Sequence, residues 1–208
     1  MIEWLKAESP YDVGRFYDAK YARDGAQALS RGYWEDMISM IRLHGGPFDQ
    51  KKRLLDAGCG HGQFLSEVCD DLECVGIDVS AKAVGLAEER LGENAEIINM
   101  AMENLGVLFS EFDYIVSFGA IEHTMNPKRC FDNLMCLLKP EGIILITVPL
   151  EFEDPLRYIR GEENQKTNER FATVNEWLDY FGNKHESWSI IGTGEIKDLA
   201  IITRKEKS

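Results

Sequence analysis

The stretch Leu54–Phe64, LLDAGCGHGQF, decides how this chain is read. An apolar run ends in Asp56, and glycines follow at alternate positions, Gly58, Gly60 and Gly62. Glycine has no Cβ, so a backbone with this spacing can turn sharply and let a ligand approach its N–H groups. The apolar-periodic QFLSEVCDDL that follows predicts a helix with Phe64, Leu65, Val68, Cys69 and Leu72 on one face. A helix starting near Gly62 would add its positive end, which suits a carboxylate. On its own a glycine triplet is weak evidence for a ligand, because strand-to-helix turns use glycine for their own sake.

The pattern around the loop extends the strand–turn–helix unit. RLLDA, CVGID, AEIIN, FDYIVS and GIILITV read as five strands, and their near-continuous apolar character suits parallel strands covered on both faces. SAKAVGLAEERL reads as a helix with Ser80 as its N-cap. Strand and helix therefore alternate, as in a doubly wound sheet. The end of the chain breaks the rhythm. After the helical TVNEWLDYFG, SWSIIG and DLAIIT are joined by TGEIK, too short for a parallel crossover, so they form an antiparallel hairpin or lie in different sheets. The expected fold is α/β: a Rossmann-like, doubly wound, mostly parallel seven-stranded sheet with a C-terminal antiparallel hairpin. Residues 1–52, with Met37, Ile38 and Ile41 on one helical face, read as an N-terminal helical cap, and 53–208 as the main domain. The polar stretch 150–173 is long for a connection inside a compact domain and reads as a lid or substrate element, with a plain surface excursion as the competing reading.

Composition narrows the class of partner. With 208 residues and 44% hydrophobic content, one domain with a substantial core is expected. The formal charge of −13 disfavours attraction to phosphate backbones, so no nucleic acid is expected. The five cysteines form no CxxC pair and their odd number argues against a complete disulfide framework, which points to the reducing cytoplasm. MIEWLKAESP has no continuous apolar core, and no segment approaches the ~20 apolar residues of a membrane span. The sequence carries no signal for an oligomeric state.

Such a loop can seat a dinucleotide's pyrophosphate, a nucleotide's phosphates or a nucleoside such as S-adenosylmethionine. The spacing is GxGxG rather than GxGxxG, and Asp56 would repel a pyrophosphate while being able to receive an ammonium group. Asp78 ends the second strand, where a carboxylate can accept hydrogen bonds from both hydroxyls of a ribose. LLDAGCGHGQFL, VGIDVS, NMAMENL, FDYIVSFGAIEHTMNP and LLKPEGIILITVP, in this order, resemble class I S-adenosylmethionine-dependent methyltransferases of the small-molecule, ubiquinone-methyltransferase-like group, over about Arg53 to Pro149.

The resemblance implies that Gly58, Cys59, Gly60 and Gly62, with Asp56 before them, wrap the methionine portion of S-adenosylmethionine. It further implies that Asp78 holds the ribose with Val79 beside the adenine. Met102 and Glu103 then lie along the adenine, and Ser117, Phe118 and Gly119 face the sulfonium end. Ala101 stands where many relatives have an acid for the adenine amino group, and Gly119 where metal-binding quinone relatives place a carboxylate before IEH, so no metal is expected. Methyl transfer from a sulfonium mainly requires alignment and exclusion of water. A base is needed only for a protonated acceptor, and His123 beside Glu122 is the candidate, with a loop-fixing histidine as the equal alternative. The expected activity is methyl transfer to a small-molecule acceptor. Its rivals are a non-catalytic S-adenosylmethionine-binding regulator and a nicotinamide-dependent oxidoreductase, the latter disfavoured by the loop spacing and the terminal hairpin.

Overall fold

The computed structural model describes residues 9–25, 28–107, 111–150, 172–182, 185–192 and 197–206. Its centre is a seven-stranded sheet in the order β3-β2-β1-β4-β5-β7-β6. The strands are β1 (Arg53–Ala57), β2 (Glu73–Asp78), β3 (Ala95–Asn99), β4 (Phe112–Phe118), β5 (Leu138–Pro149), β6 (Ser187–Ile191) and β7 (Asp198–Arg204). β1 pairs in parallel with β2 and β4, β2 with β3, and β4 with β5. β7 runs antiparallel to both β5 and β6. The expected doubly wound sheet and its antiparallel end are thus both present. β7 lies inside because its five central residues are buried, whereas β6 alternates half-buried with exposed positions and suits an edge.

Among the described residues five α-helices flank the sheet. α1 (Pro10–Asp24) starts with a capping box between Ser9 and Asp12 and with Pro10 in its first turn. α2 (Arg31–Gly45) begins at Ser30, whose side chain accepts from the Tyr33 N–H, and buries Trp34, Met37 and Ile41. α3 (Ala81–Leu91) is capped by Ser80, whose hydroxyl accepts from the Ala83 N–H at 3.1 Å, as its sequence predicts. α4 (Pro127–Leu137) is capped by Asn126 and α5 (Val174–Phe181) by a Thr173–Glu176 capping box. One apolar layer joins α4 and α5 to the sheet; the other joins α2 and α3 to it, so α2 is part of the main core.

The segment after β1 departs from expectation. Phe64, Leu65, Val68 and Leu72 are buried as their spacing predicts, but the only helical piece is a 3₁₀ turn, Leu65–Glu67. Gly62 sits at φ +73°, outside helical space, and the Ser66 hydroxyl donates to the Gln63 carbonyl at 2.7 Å. The glycine loop therefore has no α-helix N-terminus behind it. The lid reading of 150–173 falls outside the described residues except at its ends, where Leu150 bridges Ala172. All five cysteines are free thiols. Among the described residues no helix is long and apolar enough to cross a membrane.

Candidate active site

The strand order reverses between β1 and β4, the place where open α/β sheets hold ligands at their carboxyl ends. A cavity of about 230 Å³ opens there. Asp56, near the end of β1, and Asp78, ending β2, both line it. Burial, then the charge of Asp78, pushes Asp56 up to about 8. Asp78 is also raised: burial drives it up, the Ser80 and Gly60 N–H groups pull it back, and Asp18 pushes it up again. Its Oδ1 accepts from the Ser80 N–H at 2.8 Å and its Oδ2 from the Gly60 N–H at 2.9 Å. A carboxylate has about four acceptor positions, so each oxygen keeps one for a ligand.

The glycines divide by role. Gly60 lines the cavity at φ +53°, and a Cβ there would stand 2.7 Å from the Tyr21 hydroxyl. A Cβ on Gly58 would meet the Ala120 Cβ at 2.4 Å, so this glycine is required by packing as well as by its place in the wall. Gly62 is outside the lining, and a Cβ there would meet Leu91 at 2.8 Å; it lets the loop close on α3. Cys59 lines the cavity and is buried, which raises its thiol well above the usual range.

At the other wall, Met102 and Glu103 line the cavity, and Glu103 Oε1 accepts from the Met125 N–H at 2.8 Å, which fixes the loop carrying His123. Phe118, Gly119 and His123 complete this side; Ser117 and Glu122 are buried behind it. Glu122 Oε1 lies 3.8 Å from His123 Nε2, and the Tyr17 ring meets the imidazole edge-on at 5.8 Å. The Gly119 N–H donates to the Thr147 hydroxyl at 3.1 Å. Val79 lines the cavity beside Asp78, and a Cβ on Gly14 of α1 would stand 2.6 Å from its carbonyl oxygen. Among the described residues no group of three or more metal-ligating side chains comes together.

Residues 30–188 match the family described as "Methyltransferase domain". The chain belongs to the class I S-adenosylmethionine-dependent methyltransferases. The sequence is 29% identical over 130 residues to phosphoethanolamine N-methyltransferase 2 of Caenorhabditis elegans, covering 60% of this chain and 30% of that protein. It is 32% identical over 102 residues to the ubiquinone biosynthesis O-methyltransferase of Dechloromonas aromatica, covering 46% of this chain and 44% of the other. The chain thus spans less than half the length of these two relatives. The [4+2]-cyclase SpnF has the same fold, with a TM-score of 0.74 at 18% identity over 99% of this chain and 100% of that one.

Of the residues singled out from the sequence, the cavity gathers Asp56, Gly58, Cys59, Gly60, Asp78, Val79, Met102, Glu103, Phe118, Gly119 and His123, and leaves Gly62, Ser117 and Glu122 behind its wall. The helical cap supplies more wall than expected: Pro10, Val13, Tyr17 and Tyr21 from α1, Leu29 before α2 and Trp34 within it. His61, which had no placement argument in the sequence, also lines the cavity. The signal available was helical spacing: Gly14, Tyr17, Asp18 and Tyr21 fall on one face of α1.

Proposed function

We propose that this protein moves a methyl group from S-adenosylmethionine to a small-molecule acceptor and that it works in the cytoplasm. The observation that carries the reading is the cavity at the β1–β4 reversal, with two acids and Gly60 on one wall and an acid-backed histidine on the other. The five free thiols support a reducing compartment, and the −13 charge supports a small acceptor over a nucleic acid.

The residues present fit the cofactor. Asp78 keeps an acceptor position on each oxygen for the ribose hydroxyls, and Asp56 is an acid without a nearby cation in the cavity wall, suited to an ammonium group. Val79 and Met102 offer apolar surface for the adenine, and Gly60 allows close approach. When bound, S-adenosylmethionine supplies a methyl group on a positively charged sulfur, which needs alignment and dryness more than activation. Tyr17, Phe118 and Trp34 keep water from that end. His123 takes the proton of an acceptor that arrives as a hydroxyl, and the Glu122 carboxylate steadies the imidazolium so formed.

Equilibrium binding of S-adenosylhomocysteine against NAD tests the cofactor, and methyl release over a panel of alcohols, phenols and amines tests the reaction. S-adenosylhomocysteine should bind, NAD should not, and at least one acceptor should gain a methyl group. In single turnovers with a hydroxyl acceptor, His123→Ala should be slower by about 10²–10⁴-fold with cofactor affinity kept. Binding without transfer to any acceptor would leave the regulatory reading; near-wild-type rates in the variant would remove His123 from catalysis.

A further inference from the structure

We propose that the carboxylate of the cofactor's amino-acid tail is received by two neutral donors, the indole N–H of Trp34 and Nε2 of His61, in place of a cation or a helix end. This rests on the cofactor reading above and assigns residues within it.

Three observations converge. Among the described residues, the cavity wall contains neither lysine nor arginine. The loop after β1 leads into a three-residue 3₁₀ turn, so no α-helix N-terminus stands behind the glycines. Yet a carboxylate taken out of water needs hydrogen-bond donors, because an unpaired buried charge is far costlier than an unpaired amide. Trp34 and His61 are 5% and 8% exposed, both line the cavity, and Trp34 Nε1 and His61 Nε2 are buried atoms with no hydrogen-bond partner. Buried donors in native proteins nearly always have a partner, and one left alone calls for an explanation.

The neighbours explain why these two groups are ready. Trp34 is held by the rings of Phe64 and Phe118, each 5.5 Å away between centroids, so its indole keeps one orientation without using its N–H. Gln63, a further polar side chain of the lining, is committed: it exchanges two hydrogen bonds with the Leu29 backbone, both at 2.9 Å. Burial and the nearby Arg90 hold His61 below the ordinary histidine range, so it is neutral near pH 7, and in one tautomer it carries its proton on Nε2. An N–H donor can bond a carboxylate but not an ammonium group. The tail would therefore lie with its ammonium toward Asp56 and its carboxylate toward Trp34 and His61.

The test compares two ligands that share the thioether nucleoside: S-adenosylhomocysteine, which has the amino-acid tail, and 5′-methylthioadenosine, which lacks it. Trp34→Phe removes the N–H while keeping a ring against Phe64 and Phe118, and His61→Phe does the same beside Tyr21. Each should weaken S-adenosylhomocysteine by about ten- to a hundredfold, as for a lost hydrogen bond to a charged group, and leave methylthioadenosine affinity unchanged. Thermal melts check that each variant folds, and His61→Phe decides alone if Trp34→Phe does not. No loss for S-adenosylhomocysteine, an equal loss for both ligands, or a loss in only one of two folded variants would overturn the two-donor seat. A wild type that binds neither ligand would instead overturn the cofactor reading itself.

Discussion

Asp56 and Asp78 illustrate how a binding site works against the stability of the fold that holds it. Both acids have pKa values raised by burial, and Asp56 reaches about 8 with the charge of Asp78 added. An unfolded aspartate releases its proton near about 3.9. Between that pH and about 8 the native state holds a proton that the unfolded chain has lost, so stability falls as pH rises through this window. Asp56→Asn removes this term. Its unfolding midpoint should drop less than that of wild type between pH 5 and pH 8, while its affinity for S-adenosylhomocysteine weakens; equal pH slopes would contradict the raised pKa. An ammonium group settling against Asp56 favours its ionised form, so wild-type binding near pH 7 should release a proton, visible as a buffer-dependent titration heat. Asp78→Ala should weaken binding by roughly 2–4 kcal/mol, since two hydrogen bonds to a charged acceptor are lost with partial compensation by water. Titration calorimetry measures it, and Asp78→Asn should be milder. These acids were legible in the sequence because each closes an apolar run at a strand end. Trp34 and His61 were not, since an unpartnered N–H becomes visible only once every neighbour is in place.

The helix α1 turns one face into both wall and anchor. Gly14, Tyr17, Asp18 and Tyr21 recur at helical spacing, and each meets the site or the element beside it. Gly14 packs on the Val79 carbonyl, Tyr17 meets His123, and Tyr21 covers Gly60. Asp18 Oδ1 accepts from the Ser80 hydroxyl at 2.6 Å and from the Lys82 N–H at 2.9 Å, which ties α1 to the start of α3, two residues beyond Asp78. Tyr21 stays a protonated donor, because burial and the Asp78 charge push its pKa up. Asp18→Ala should therefore loosen α1, speeding protease cleavage within residues 9–25 and weakening S-adenosylhomocysteine; Arg15→Ala, which removes only an exposed pair with Asp12, should do neither. Unchanged cleavage in Asp18→Ala would show that packing alone holds the helix. The 3₁₀ turn after β1 teaches the opposite lesson. Its apolar face was readable, but its shortness was not: Gly62 stands at φ +73°, and only Leu65–Glu67 forms a helical turn.

Across the whole molecule the sheet separates stability from chemistry. Trp177 of α5 is 2% exposed, stacks on Phe181 at 5.5 Å, and donates its indole N–H to the Pro149 carbonyl at 2.9 Å. It is absent from the cavity wall. Trp177→Ala should cost about 3–5 kcal/mol in denaturant unfolding, while the folded fraction keeps its cofactor affinity; lost affinity in folded protein would show that the two layers are coupled. The strands, the capped helices and the class of sheet were determined by the sequence alone, because apolar period, glycine placement and capping residues act over a few neighbouring positions. Even the inner place of β7 left a trace: DLAIIT is apolar nearly throughout, whereas SWSII alternates half-buried and exposed positions at the edge. The site was decided only by packing. The reversal of strand order brings Asp56, Asp78 and Gly119 to one end of the sheet, and two helices from the start of the chain close over them. Which side chains then face a cavity, and which buried donors are left without partners, depends on contacts between residues far apart in the chain, and no local pattern encodes those.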